Sequence, residues 1–254
     1  MFRLLRRQPR LAPIDPELWR ATRDIAPWWR DLDPTREARL QHLVERFNAT
    51  KTISCVGGLS LDDVQRTMLA GLCCLPLLEY GPNGLGTWSQ LVVYPGAFRA
   101  RRQHEDGDGV RHDWDEDLIG EAWTDGPVVL SWADVEADRE DPRAGVCVAI
   151  HEIAHVLDSL DGLLDGTPLL PRDWQREWAR DFQSAYNAFV QQVDAGVRTV
   201  IDPYAAESPE EFFAVTSESH FSTPDHLRAE MPRVALHLQR LYGPAPFARP
   251  NPHG

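Results

Sequence analysis

The strongest periodic signal lies in the C-terminal half, where Trp174, Trp178, Phe182, Tyr186, Phe189 and Val193 recur at three- and four-residue steps. That spacing predicts one apolar stripe on a long helix, a packing surface and not a ligand box. Earlier in the chain, Leu40, Leu43, Val44 and Phe47 follow the same spacing behind Asp33-Pro34. Asp suits the cap and Pro the first helical position, so a helix is predicted there. Ser60 to Asp63 has the form of a capping box and predicts a helix through Met68, Leu69, Leu72 and Leu75, closed by Pro76 and Gly81. Between these helical parts the pattern changes. Leu91-Val92-Val93-Tyr94, ended by Pro95-Gly96, is a short β-prone run, and Val128-Val129-Leu130-Ser131-Trp132, entered through Gly126-Pro127, is another. The stretch 103–125 is dense in Asp and Glu and reads as an exposed loop. Gly243 to Gly254 holds four prolines and reads as a loose tail.

One further apolar segment carries chemistry. Val146, Val148, Ile150, Ile153, Val156, Leu157 and Leu160 predict a buried helix, with Asp141-Pro142 as its start and Gly162 as its stop. Inside it lies His151-Glu152-Ile153-Ala154-His155, an HExxH sequence. Residues four apart share a helix face, so both imidazoles project to one side. Glu152, beside the first His, can reach a water held on the same metal. Two histidines and a carboxylate in so apolar a helix are costly without a partner.

A catalytic zinc needs a third protein ligand. The extended pattern HExxHxxGxxH is absent, because Asp158 and Asp161 stand where Gly and His would be. Asp158 is expected as an acceptor orienting a ligating imidazole. The third ligand is expected in the segment 202–218. There Ser208-Pro209 starts a helix and Glu211 and Glu218 share a face. Ser208 and Glu211 also have capping-box spacing, which would turn Glu211 back to the helix start. Spacing therefore leaves Glu207, Glu210, Glu211 and Glu218 open as ligands.

Charge narrows the setting. The chain has 254 residues, 26 Lys+Arg against 39 Asp+Glu, and a formal net charge of −13. No basic field exists to attract phosphate, which argues against direct nucleic-acid contact. No apolar run reaches the roughly 18 residues a membrane helix needs. The start MFRLLRRQPR is not followed by the apolar region of a secretory signal. Cys55, Cys73, Cys74 and Cys147 form no CxxC pair and are expected as free thiols. These features predict a cytoplasmic protein without a membrane anchor.

The segments HEIAHVLDSLDGLLDGTPLL and DPYAAESPEEFFAVTSE, with GPVVLSWADV and LVVYPGAF upstream, resemble the bacterial Mlc titration factor A family of zinc peptidases over residues 30 to 243. That family is similar to the catalytic domain of anthrax lethal factor, a gluzincin-type zincin. The resemblance implies an α+β zincin-like domain, mainly helical, with a small mixed sheet next to the HExxH helix. It would be a single domain over 1–254, with an N-terminal helical part about 15–80, a catalytic part about 85–243 and the tail 244–254. By the same resemblance His151, His155 and Glu211 hold one catalytic zinc, Glu152 is the general base and Tyr204 is the active-site tyrosine. Zincins bind substrate on an edge strand before the HExxH helix; here that is Val128, Val129, Leu130, Ser131 and Trp132. The implied activity is that of an aminopeptidase-like metallopeptidase acting on a peptide or protein. The alternative is an anti-repressor that sequesters a Mlc-like transcription repressor of sugar-uptake genes. His220, after Ser217-Glu218-Ser219, stands where the family commonly has aromatic residues and is expected as a packing or surface change.

Overall fold

The computed structural model describes residues 10–96 and 126–248. The described helices are α1 (Pro16–Ile25), α2 (Pro34–Thr50), α3 (Asp63–Cys74), α4 (Trp132–Glu140) and α5 (Val148–Asp158). They continue with α6 (Arg172–Asp194), α7 (Pro209–Ser222), α8 (Pro224–Glu230) and α9 (Pro232–Tyr242). The strands are β1 (Thr52–Cys55), β2 (Gln90–Tyr94) and β3 (Val128–Ser131). The described fold is thus mostly helical with one small sheet.

The sheet has the order β1-β2-β3, and both pairings are parallel. Among the described residues it is therefore parallel and not mixed as expected. Parallel neighbours need a crossover, and α3 supplies the one between β1 and β2. β1 carries no clear alternation and gave no sequence signal. β3 is an edge strand among the described residues. Trp132 does not belong to it: the Ser131 hydroxyl accepts from the Asp134 amide at 3.2 Å and starts α4, so Trp132 is the first helical residue.

Local signals set several boundaries. Asp33 caps α2 by accepting from the amides of Thr35 and Arg36. The box that opens α3 is one residue pair later than expected: Asp62 and Gln65 bond each other's backbone, not Ser60 and Asp63. Asp141-Pro142 follows the end of α4 and does not start α5, which begins at Val148. Gly162 closes the turn after α5 with φ 91°, as expected.

α5 sits centrally, packed against α7, α3 and β3. Leu91, Val93 and Leu130 of the sheet are fully buried beside it. The aromatic stripe of α6 is real and has a definite partner. Trp178 stacks on Phe182 at 3.9 Å between centroids, and these rings meet Phe212 and Phe213 of α7 edge-on. Phe212 directly follows Glu211, so the stripe fixes the helix that carries that carboxylate. Lys51, the only lysine, is buried at the end of α2. Its ammonium donates to the carbonyls of Leu85, Gly86 and Trp88 and ties α2 to the turn before β2. Burial lowers its pKa to about 8.

None of the four cysteines is in a disulfide: Cys73, Cys74 and Cys147 are buried and Cys55 is half-buried. No helix among the described residues is long and apolar enough to cross a membrane. The acidic stretch 103–125 lies outside the described residues. Of the predicted tail, the first residues are fastened: Arg36 donates to the Pro244 carbonyl, and the Arg143 guanidinium lies over the Phe247 ring.

Candidate metal centre

α5 has no capping side chain of its own at Cys147. Two carboxylates from elsewhere take that place. Asp138 of α4 accepts from the Val148 amide at 2.8 Å, and Glu218 of α7 accepts from the Cys147 amide at 2.5 Å. Negative groups here satisfy free amides and suit the positive end of the helix. The helix start is thereby fixed by its neighbours.

One turn in, His151 and His155 face each other, with ring centroids 4.8 Å apart and planes at 80°. Their Nε2 atoms are 3.1 Å apart. Glu211 of α7 brings Oε2 to 3.2 Å from His151 Nε2 and Oε1 to 3.6 Å from His155 Nε2. The ligand atoms of these three residues all lie within 4.8 Å of one another. The capping-box conflict resolves cleanly. The Ser208 hydroxyl accepts from the Glu211 amide at 3.3 Å, while the Glu211 side chain turns to the imidazoles.

The electrostatics call for a cation. Burial alone would lower the His151 pKa; Glu218, Glu211 and Glu152 outweigh it and raise it to about 10. Burial alone would raise Glu211, but its bonds to His151 and His155 hold it well below the usual carboxylate range. Glu211 Oε2 is buried and accepts no hydrogen bond of good geometry. Two imidazole nitrogens and a carboxylate aimed at one point are a donor set that a divalent metal satisfies.

Glu218 Oε1 lies 2.7 Å from His151 Nδ1. A carboxylate there accepts the Nδ1 proton and keeps it on that nitrogen, so that Nε2, which faces the centre, is the nitrogen that would give up its proton to a metal. Spacing had left Glu218 open as a ligand; in the structure it stands behind His151 and outside the three-residue cluster. The seven-residue step from Glu211 put both on one face, but only the tertiary partner, the Cys147 amide, separates their roles. Asp158 takes neither the expected position nor that role. Its carboxylate accepts from the Gly166 and Thr167 amides at 2.9 and 2.8 Å and shapes the loop after α5. Burial raises its pKa to about 6 against those two bonds. Among the described residues, neither Glu207 nor Glu210 joins the cluster. Asp138 gave no sequence signal.

Tyr204 sits on the 3-10 turn Pro203–Ala206, whose first amide bond goes to Asp202. Its ring centroid is 6.4 Å from that of His151. Glu152 is half-buried and close enough to Cys73 to act on it: burial first, then Glu152, pushes the thiol up to about 12. His220 is a packing residue, buried against Phe221 and Tyr242 and outside the cluster.

The model of the glucose-regulated metallo-peptidase M90 family matches residues 2–243. The chain belongs to that family. Other members of similar sequence are named Mlc titration factor A. The Klebsiella pneumoniae (strain 342) protein is 33% identical over 226 residues, covering 88% of this chain and 84% of the relative. The Cronobacter sakazakii protein is 32% identical over 241 residues, covering 94% and 90%. The M90 description and the convergence of His151, His155 and Glu211 agree on a metallopeptidase-like domain with a place for a metal.

Proposed function

We propose that the chain is an aminopeptidase-like zinc metallopeptidase with a zincin-like catalytic fold. The observation that carries this is the convergence of His151, His155 and Glu211, with Glu218 holding His151 from behind. Two imidazoles and one carboxylate are a catalytic-zinc set that leaves a position open. When bound, zinc supplies Lewis-acid polarisation of a peptide carbonyl and of water.

The protein's own groups do the rest. Glu152, beside His151 on the same helix, accepts the proton of the attacking water and passes it to the leaving amine. The Tyr204 hydroxyl donates a hydrogen bond to the oxyanion as it develops. β3 offers an edge to an extended substrate, and Val129 is its exposed residue at 38%. Trp132, at the head of α4, follows that edge instead of extending it.

A second reading comes from the relatives' name. Carried to this chain, it makes the protein an anti-repressor that binds a Mlc-like transcription repressor. The net charge of −13 fits action on a protein and not on DNA. Glu152→Gln separates the readings. The enzyme reading expects this variant to keep its metal and lose peptide hydrolysis by 10²-fold or more, in line with loss of a general base. Hydrolysis at the wild-type rate would overturn it.

A further inference from the structure

A groove separate from the metal centre runs between α6, the segment 197–201 and the junction of α8 and α9, with a volume of about 730 Å³. That is within the roughly 300–1,000 Å³ typical of ligand sites. None of His151, Glu152, His155, Tyr204, Glu211 or Glu218 lines it.

Arg180, Arg198 and Arg233 line the groove against Asp181 and Glu230, which leaves one net positive charge on a chain of −13. Asp181 is already saturated: it holds Arg180 at 2.8 Å, Arg233 at 3.2 Å and His237 Nε2 at 3.1 Å. Arg198 is exposed on the segment 197–201, which Ile201 anchors in the core. The floor is apolar, from Ala185, Ala188, Phe189 and Met231. The lip carries Val197 and Val200, which are 54% and 58% exposed. Val197 and Val200, three residues apart on the lining segment, carry the apolar surface of the floor out to the rim.

We propose that this groove is a docking site for an acidic, aliphatic peptide segment of another protein. Aliphatic side chains would cover Phe189, Met231 and the two valines. A carboxylate would meet Arg198, which takes no part in the Asp181 bridges and whose planar fork suits it, with Arg180 and Arg233 adding positive field beside it. The rim opens to solvent at Val197, Arg198 and Val200, which favours a chain segment lying across it over a small molecule, which a closed pocket would surround. The site is independent of the metallopeptidase reading, since it shares no residue with the metal centre.

The test is fluorescence anisotropy on the full chain at low ionic strength. The probes are a fluorescein-labelled peptide of alternating glutamate and leucine and its lysine-leucine counterpart. The glutamate peptide should bind, and raised salt should weaken it. Arg198→Glu and Val200→Ser, both at exposed positions, should each weaken it at least tenfold with melting temperature and metal content unchanged. Equal binding of the lysine peptide, no binding of either, or wild-type affinity in both variants would overturn the proposal. Displacement of the bound peptide by succinate alone at comparable concentration would overturn it in favour of a small-molecule site.

Discussion

At the scale of single residues, the centre depends on carboxylates with separate tasks. Glu211 faces the imidazoles, and Glu218 holds both His151 Nδ1 and the Cys147 amide. Glu218→Gln keeps the shape but removes the charge that orients the ring. It should weaken metal affinity by about 10–100-fold. Unchanged affinity in a metal-buffer titration would show that Glu218 is only a helix cap. His220 is a different case. Burial is the main cause that lowers its pKa to about 3, with Arg36 and Arg228 adding to it. The unfolded chain binds this proton near pH 6.5, so between about 6.5 and 3 the unfolded state holds more protons and acidification costs stability. Asp158 opposes this: raised to about 6, it gives stability as pH falls toward 3.8. The difference between wild type and His220→Phe isolates the histidine. The variant's unfolding free energy should fall less steeply between pH 6 and 4, by up to about 1.4 kcal/mol per pH unit. Parallel curves would contradict this.

At the scale of elements, the centre exists because α5 and α7 are locked in register. Gly166, with φ 77°, lies so close to α7 that an added Cβ would meet the Pro209 carbonyl oxygen at 2.3 Å. Gly166 is also bonded to Asp158 through its amide and to Trp178 through its carbonyl. Gly166→Ala should therefore cost more than about 1 kcal/mol of stability and loosen metal binding as Pro209 moves. A thermal melt and metal titration matching wild type would refute that coupling. The same elements show what the sequence could tell. The HExxH face was legible because a four-residue step fixes geometry on any helix. The α6 stripe was legible for the same reason. The start of α5 was not, because its caps come from Asp138 and Glu218, distant in sequence and without a local pattern. β1 was not, because four residues give too little alternation to detect. By spacing alone Glu211 could only be narrowed to a segment, since its backbone does follow the cap that its side chain ignores; the family resemblance was what singled it out.

At the scale of the molecule, the acidic surface now has internal structure. The carboxylates Glu211, Glu218 and Glu152 gather round two imidazoles, while a local excess of arginine marks the separate groove. The family membership and the geometry meet at a metallopeptidase-like domain. The proposed function stands on zinc held by His151, His155 and Glu211. Elemental analysis of the purified chain, loaded with zinc and freed of loosely bound metal, tests it most directly. About one zinc per wild-type chain is expected, with most of it lost in a folded His155→Ala variant. A wild-type chain that holds no stoichiometric zinc after loading, or a variant that holds as much, would contradict it.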